Sequence, residues 1–294
     1  MRRPLGRALA RGADLLDAVG ERAADAARVA RFVRGRLEHR PRDDDLFVVT
    51  YPRSGTTWTQ FLLHLLATSG EDDFAHISQV TPWFERSLAL GTLSAEDLEA
   101  LPSPRIFKSH LHPAWLPAGA RCVYVVRDGR DVAVSYYHLY RSHLGFSGSF
   151  DDFFERFLAG DVQYKSWFKH VAAWRAHAER APVLLLEYER LLEDLPACVE
   201  ELIAFSRLPV ERARLPVILE KASFAYMKAH EDRFDHATGE VLHNGAPRGA
   251  FLRSGRRGEG QARLTPSQRA AFAARALRPE RLASVELDLA PYLH

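Results

Sequence analysis

The sequence predicts a single α/β domain, built as a three-layer α/β/α arrangement around a central parallel sheet. Four short and nearly all-apolar segments are strand candidates, at residues 46–50, 105–108, 121–126 and 183–187. Apolar residues recur at helical spacing at residues 56–68, 129–142, 150–159, 163–180, 194–206 and 210–220. Strands without polar alternation are typical of sheets covered on both faces, and parallel strands need such helical connections. With 294 residues, 47% of them apolar, the chain can bury one large core.

Composition and charge exclude several classes of protein. A net charge of +2 gives no electrostatic reason to expect a nucleic-acid partner. The two cysteines, Cys122 and Cys198, have no metal-type neighbours and do not make a disulfide framework. No apolar run approaches the ~18 residues of a transmembrane segment, and the N-terminus lacks the apolar core of a secretion signal. We therefore expect a cytoplasmic protein.

Residues 1–42 are predicted to form a helical extension of a main domain at 43–294. The extension is rich in Arg and Ala, carries apolar residues at helical spacing from Leu15 to Val33, and ends near Pro41. We expect this helix to pack on the main domain. The alternative is peripheral contact of residues 1–40 with an anionic membrane, but an apolar face of mostly Ala and Val favours packing.

The segment from residue 46 to residue 58 predicts an anion-binding loop. An apolar strand enters the loop Tyr51-Pro52-Arg53-Ser54-Gly55, and a helix follows directly. Such a loop gathers free backbone N–H groups at the positive end of the helix dipole. The side chains of Arg53, Ser54, Thr56 and Thr57 add donors. The loop is not a Walker A loop, because Thr50 and Thr56 stand at its Gly and Lys positions.

A second strand, at 121–126, leads into Arg127-Asp128-Gly129-Arg130-Asp131 and a helix that bears Ser135. Asp128 is the predicted N-cap, and Asp131 lies in the first turn. Ligands of open α/β sheets bind outside the carboxyl ends of the strands, so both loops should face one crevice. Taken alone, this second segment is typical of a salt-bridged helix cap.

Candidate reactive residues follow the strand at 105–108. Strand alternation places Lys108 and His110 on one side at its carboxyl end. A histidine can act as a general base near neutral pH, and Lys108 and Arg53 can stabilise negative charge. No acidic residue lies near His110-Leu111-His112, so we expect no metal there. A polar segment later in the chain contains other candidate metal ligands: His230, Glu231, Asp232, Asp235, His236 and His243. We expect this segment to form a mobile loop and not a metal site.

These motifs resemble those of the sulfotransferases that use 3′-phosphoadenosine 5′-phosphosulfate (PAPS), specifically the cytosolic type. Residues 51–58 resemble the family's 5′-phosphosulfate loop, and residues 125–135 resemble its 3′-phosphate motif. The resemblance spans roughly residues 45–265. It implies a P-loop-like fold and transfer of a sulfuryl group from PAPS to a hydroxyl, or an amine, of a small and largely apolar acceptor. It also implies that 3′,5′-ADP is left and that no metal is used.

The resemblance assigns roles to residues of this sequence. It implies that His110 is the general base and that Lys108 and Arg53 stabilise the transition state. It places Arg127 and Ser135 on the 3′-phosphate. The other implied cofactor contacts are Ser54, Gly55, Thr56, Thr57, Trp58, Tyr188, Phe224, Phe251, Leu252, Arg253, Ser254 and Gly255, with Trp58 and Phe224 stacking on opposite sides of adenine.

The C-terminal part departs from the family pattern. Ser254, Gly260 and Gln261 stand where the family has Lys, Trp and Lys, so either the cofactor binds less tightly or Arg256 and Arg257 compensate. The family's dimerisation segment is not matched. Thr265-Pro266 instead predicts an N-cap followed by Pro at the first helical position.

The acceptor and two alternative functions stay open at this point. Candidate residues of the acceptor pocket are Trp83, Phe84, Tyr136 and Phe146. A P-loop-type nucleotide kinase or hydrolase is one alternative, but it would need a Walker A loop. A catalytically silent nucleotide-binding protein of the same fold is the other, and the presence of Lys108 and His110 argues against it.

Overall fold

The computed structural model of the chain describes residues 2–235, 251–278 and 289. The strands are β1 (Leu46–Thr50), β2 (Ile106–Ser109), β3 (Arg121–Val126) and β4 (Val183–Glu187). The α-helices are α1 (Arg2–Glu38), α2 (Thr56–Ala67), α3 (Phe84–Leu90), α4 (Ala95–Ala100), α5 (Gly129–His143), α6 (Phe150–Ala159), α7 (Trp167–Ala178), α8 (Tyr188–Glu193), α9 (Leu195–Ser206), α10 (Leu215–Lys221), α11 (Phe224–Ala229), α12 (Glu259–Arg263) and α13 (Pro266–Ala276). Short 3-10 helices lie at Ile77–Gln79, Pro113–Trp115, Arg212–Arg214 and Glu231–Arg233.

The four strands form one parallel sheet in the order β2-β1-β3-β4. Val48 of β1 pairs with Lys108 of β2 on one side and with Val123 of β3 on the other. This register places the carboxyl ends of the three strands side by side. The loops that follow Thr50, Ser109 and Val126 therefore start from the same edge of the sheet.

Helices cover both faces of the sheet. On one face, Val48 and Val123 are part of a buried cluster with side chains of α2 and α9 such as Leu62 and Leu202. On the other face, the ring of Tyr124 stacks on Trp174 of α7, with ring centroids 5.1 Å apart. Burial on both faces explains why the strands are apolar throughout. The predicted three-layer α/β/α fold with a parallel central sheet is confirmed.

Helices α1, α3 and α4 belong to a compact unit of their own, separate from the unit that holds the sheet. Phe32 of α1 packs edge-on against Phe84 of α3, with ring centroids 6.4 Å apart. Arg31 Nε donates a hydrogen bond to the Ala89 carbonyl at 2.6 Å. A Cβ at Gly35 would lie 2.6 Å from Leu88 Cδ2, so a side chain there would obstruct the helix contact. The N-terminal helix therefore has specific partners in residues 84–101.

The helix predicted at 163–180 is wrong at its N-terminal end. Helix α7 begins only at Trp167, and the side chain of Ser166 caps it by accepting from Lys169 N at 3.3 Å. Tyr164 and Lys165 have positive φ angles of 67° and 57°. A right-handed helix cannot contain such residues.

Three tyrosine hydroxyl groups hold this 163–165 turn by its backbone. Tyr136 Oη donates to the carbonyl of residue 163 and Tyr51 Oη donates to the carbonyl of residue 165, both at 2.8 Å. The amide of residue 163 donates to Tyr140 Oη at 2.6 Å. These bonds come from the loop residue that directly follows β1 and from α5, and they offset the cost of two left-handed residues.

Candidate active site

The first loop connects β1 to α2 through two residues with positive φ, Arg53 at 70° and Gly55 at 93°. Gly55 is the N-cap of α2. A Cβ on it would lie 2.7 Å from Tyr188 Cδ2, so only glycine fits this approach. Ser54 Oγ is buried and has no hydrogen-bond partner among the described residues. Such an orphaned hydroxyl suits an oxygen of a ligand.

The first turn of α2 carries the other residues that the motif predicted for this loop. Thr56 and Thr57 are buried at its start, and the hydroxyls of Thr50 and Thr56 lie 2.5 Å apart. Trp58 Nε1 donates to the Ala222 carbonyl at 2.7 Å, which fixes the indole ring in place. The turn therefore presents small polar side chains beside an anchored aromatic ring.

The guanidinium of Arg53 connects the first loop to α5 and to the C-terminal segment. Its Nε donates to Ser135 Oγ and its Nη2 donates to the Phe251 carbonyl, both at 3.1 Å. Burial and the charges of Arg127 and Arg253 lower the pKa of Arg53 to about 10. Burial is the largest cause of this lowered pKa and the neighbouring positive charges come second, and a bound anion would stabilise the charged guanidinium against both.

Arg127 joins the first loop to the C-terminal segment. Its Nη1 donates to the Arg53 carbonyl at 3.0 Å, and its Nη2 donates to the Arg256 carbonyl at 2.9 Å. Its guanidinium stacks on the ring of Tyr188, 4.5 Å from the centroid. Its Nε is buried and lacks a partner within the described ranges. Ser54 Oγ and Arg127 Nε are thus two buried polar atoms that fit an anionic ligand.

Asp131 ties the C-terminal loop, residues 251–258, to the start of α5. The buried carboxylate accepts from Gly258 N at 2.8 Å and from Gly260 N at 2.6 Å. A Cβ on Gly260 would lie 2.4 Å from the carbonyl carbon of Arg130. A side chain at this position, where the resembled family has tryptophan, would therefore collide with the backbone of Arg130. The sequence placed Asp131 in the first turn but gave no signal of this distant partner.

The C-terminal loop brings further implied cofactor contacts to the crevice. Arg253 pairs with the carboxylate of Glu259, which also accepts from the side chain of Ser254. Phe224 is 41% exposed, and its Cδ2 lies 2.6 Å from the place of a Cβ on Gly255. Leu252 N donates to Glu231 Oε1 at 2.5 Å, which holds the start of the loop.

The two arginines proposed to compensate for the missing lysine have different surroundings. Arg257 pairs with Glu193 of α8. Arg256 has an exposed side chain, and its carbonyl accepts from Arg127. Compensation by either side chain stays a prediction.

Lys108 and His110 extend from the end of β2, as predicted. Lys108 is buried, and its Nζ lies 3.6 Å from the centroid of the Trp83 ring. His110 Nδ1 lies 2.8 Å from the Thr50 carbonyl oxygen. A carbonyl can only accept a hydrogen bond, so Nδ1 carries the proton of the neutral ring. The lone pair that can take a proton is therefore on Nε2.

The surroundings keep His110 uncharged. Burial, and then the positive charge of Lys108, hold the pKa of His110 well below its usual 6.5. The ring lies between those of Trp83 and Tyr164, with both pairs of centroids 5.1 Å apart. At neutral pH the site therefore holds a base in its reactive, neutral form between two aromatic walls.

The four predicted pocket residues lie in different places. Trp83 lies beside Lys108 and His110, whereas the Tyr136 hydroxyl binds the 163–165 turn. Phe146 packs near Tyr137 and Tyr140, and Phe84 packs within the helical unit. Sequence reasoning missed Tyr164, because a single tyrosine in a predicted helix carries no signal of a neighbouring histidine.

Two findings concern other kinds of site. In the described part of the chain, no group of three or more His, Cys, Asp or Glu side chains could hold a metal ion. His236 and His243 lie outside the described residues. None of the helices described here is both long enough and apolar enough to cross a membrane.

The fold and the site define an α/β protein of the P-loop-like type, in which two strand–loop–helix connections lie beside a buried lysine and histidine. Residues 43–278 match the family model of the sulfotransferase domain. The chain belongs to the sulfotransferase family, so its chemistry is the transfer of a sulfuryl group. A nucleotide kinase or hydrolase is not favoured.

Relatives and solved structures agree with this assignment. The chain is similar to sulfotransferase 1A1 of Bos taurus, with 33% identity over 242 residues that cover 79% of this chain and 81% of that protein. Its identity to sulfotransferase 2B1 of Mus musculus is 34% over 242 residues, 79% and 70% of the two chains. The crystal structure of mouse sulfotransferase SULT7A1 complexed with PAP matches with a TM-score of 0.67 and 27% identity, over 85% of this chain and 88% of that chain. Retinol dehydratase in complex with androsterone and the inactive cofactor PAP shares the fold, with a TM-score of 0.70 and 22% identity over 85% and 87% of the two chains.

Proposed function

We propose that this protein is a cytoplasmic enzyme that moves the sulfuryl group of PAPS to a hydroxyl, or an amine, of a small and largely apolar acceptor. The observation that carries the proposal is the hydrogen bond from His110 Nδ1 to the Thr50 carbonyl. Thr50 is the last residue of β1, directly before the anion-binding loop. The base and the anion site are therefore fixed to the same strand end, as transfer between two adjacent ligands requires.

The chain's buried polar atoms fit the donor. Ser54 Oγ and Arg127 Nε are unpaired within the described ranges, and Gly55 lets the loop backbone approach the ring of Tyr188 closely. When bound, PAPS supplies an activated sulfuryl group with 3′,5′-ADP as the leaving group. The likeness to a mouse sulfotransferase complexed with PAP supports this choice of nucleotide.

We assign the donor contacts from the resemblance of the motifs to those of the family. The 5′ side would be held by Arg53, Ser54, Gly55, Thr56 and Thr57, the 3′-phosphate by Arg127, Ser135, Arg253 and Ser254, the adenine by Trp58, Tyr188 and Phe224, and the closing loop contacts would be Phe251, Leu252 and Gly255. These side chains combine cations with neutral donors, which suits two phosphate-like groups.

In the reaction, His110 Nε2 takes the proton of the acceptor's nucleophilic group. Lys108 and Arg53 place positive charge where negative charge develops as the acceptor is sulfated. Burial makes both charges more effective, because little water screens them. Trp83 and Tyr164 flank the base and exclude water from it, which favours an acceptor with an apolar body.

The test compares His110→Ala with His112→Ala, a matched change two residues further on. Turnover is followed with labelled PAPS and a panel of phenols, steroids, alcohols and amines. We expect His110→Ala to abolish turnover while 3′,5′-ADP binds within about threefold of wild type, since the base acts on the acceptor. His112→Ala should stay active. An active His110→Ala variant at neutral pH would remove the base from the mechanism, and preferential stabilisation by ATP over 3′,5′-ADP would contradict the choice of donor.

A further inference from the structure

A row of buried side chains, separate from the Nδ1 contact, is hydrogen-bonded to the backbone of His110. His170 of α7 places Nε2 3.1 Å from the His110 carbonyl oxygen. His170 Nδ1 lies 2.9 Å from Tyr124 Oη, on the neighbouring strand β3. One turn further along α7, Trp174 Nε1 donates to the Leu111 carbonyl at 3.1 Å. The backbone of residues 110 and 111 is thus held from α7.

Donor and acceptor chemistry fixes the direction of each bond. The His110 carbonyl can only accept, so His170 must carry its proton on Nε2. His170 Nδ1 then bears the lone pair, and Tyr124 Oη donates to it. Burial lowers the pKa of His170 to about 3, so this ring stays neutral over the working pH range. A backbone carbonyl cannot pass a proton on, so this arrangement orients His110 and does not relay protons.

Packing holds Tyr124, the side chain of this row that is farthest from His110, in place. Tyr124 pairs with Val49 in the centre of the sheet, and its ring stacks on Trp174 with an interplanar angle of 10°. The ring of Tyr51 packs edge-on against His170, with centroids 5.7 Å apart. Tyr124, His170 and Trp174 are all buried. The position of His170 is therefore set by β3 and by the first residue of the anion-binding loop.

His110 needs such support because it lies beyond the ladder. β2 ends at Ser109, so the regular pairing with β1 does not extend to residue 110. Its ring is fixed in front by the Thr50 carbonyl, and its own carbonyl is fixed behind by His170. These two hydrogen bonds, one made by the ring and one by the backbone carbonyl, together define where Nε2 points.

We propose that His170 is a positioning residue for sulfuryl transfer, which holds the His110 carbonyl, with Tyr124 fixing its tautomer, so that His110 Nε2 faces the acceptor. The inference rests on the proposed role of His110 as the base. It assigns no contact between His170 and either substrate.

The test uses His170→Leu, His170→Gln and Tyr124→Phe, with His177→Gln near the end of the same helix as the control. A misdirected base should lower kcat about 100-fold in His170→Leu, because a displacement of about 1 Å has effects of that size. His170→Gln can donate to the same carbonyl and should recover kcat to within about tenfold of wild type. In both variants, and in the control, the affinity for 3′,5′-ADP should stay within about threefold.

A residue that only fills space would give a different pattern. Equal loss of kcat in the Leu and Gln variants, or kcat within about threefold of wild type in His170→Leu, would overturn the proposal. If His170→Leu does not fold, Tyr124→Phe decides together with His170→Gln. We expect a loss of about fivefold in kcat for the phenylalanine variant with unchanged 3′,5′-ADP affinity, and no loss would overturn the proposal. Failure of the base assignment itself would be seen separately, as turnover by His110→Ala.

Discussion

Replacing Asp131 by Ala should detach the C-terminal loop from α5 and weaken nucleotide binding. An amide that donates to a buried carboxylate contributes about 1.5–3 kcal/mol, and Asp131 accepts from two amides. Water can satisfy Gly258 N and Gly260 N once the loop opens. We therefore expect the two bonds together to stabilise the closed loop by no more than one strong bond would, about 3 kcal/mol. This is a ~150-fold change in the closing equilibrium of the loop, and the affinity for 3′,5′-ADP should fall by up to that factor.

Calorimetric titration with 3′,5′-ADP measures the affinity, and hydrogen exchange of residues 251–258 measures closure. Arg130→Ala is a matched control, since the half-exposed Arg130 side chain donates to Gln261 in α12, directly after this loop, at 2.9 Å. We expect the control to change the affinity by less than about fivefold, because exposed polar contacts contribute little. If Asp131→Ala binds 3′,5′-ADP within about threefold of wild type and exchange does not change, the anchor does not control the loop.

Three further predictions follow from the described contacts. Arg127→Ala should weaken the binding of 3′,5′-ADP by about 2 kcal/mol, around thirtyfold, and the binding of 5′-AMP much less. Equal losses of affinity in titrations of both nucleotides would mean that Arg127 is purely structural. Because burial lowers the pKa of His110 and the base must be neutral, kcat/KM should stay level as the pH falls through 6.5 and decline only at more acid pH; a decline centred at 6.5 or above contradicts this. Burial alone would raise the pKa of Asp72, but hydrogen bonds from Lys221 and Tyr226 hold it at about 2. Asp72→Asn should therefore lower the free energy of unfolding in urea by about 1–2 kcal/mol at pH 7, and the difference should shrink as the pH falls through 2.

The sheet could be predicted because its strands are apolar on both faces. β1, β3 and β4 begin and end at the predicted residues, whereas β2 is displaced by one residue. The reason is Arg105, which was counted in the strand but precedes it. Its Nε lies 2.7 Å from Asp45 Oδ1, in an ion pair buried from solvent. A long-range partner of this kind leaves no trace in the local pattern.

The parts of the site whose structure depends on neighbouring residues could be predicted from the sequence. The contacts between residues that are distant in sequence could not. The connection from β1 through Gly55 to α2 and the Asp128 cap depend on a few neighbouring residues, and both have the predicted local structure. The 163–165 turn depends on hydroxyls of three tyrosines that are distant in sequence, so helical spacing there was misleading. The partners of Asp131 lie 127 and 129 residues away. No spacing rule could have joined them.

One guanidinium, that of Arg127, contacts the backbone of two different loops while its Nε is proposed to meet the 3′-phosphate. A single coupling free energy then links the binding of the nucleotide to the closing of the loop. Linkage requires reciprocity: the factor by which a closed loop raises the affinity for a 3′-phosphorylated nucleotide equals the factor by which that nucleotide favours closure. A nucleotide without this phosphate would not draw on the coupling. Recognition of the donor therefore depends on the equilibrium between open and closed states of the loop backbone. It can be measured either as nucleotide affinity or as loop closure.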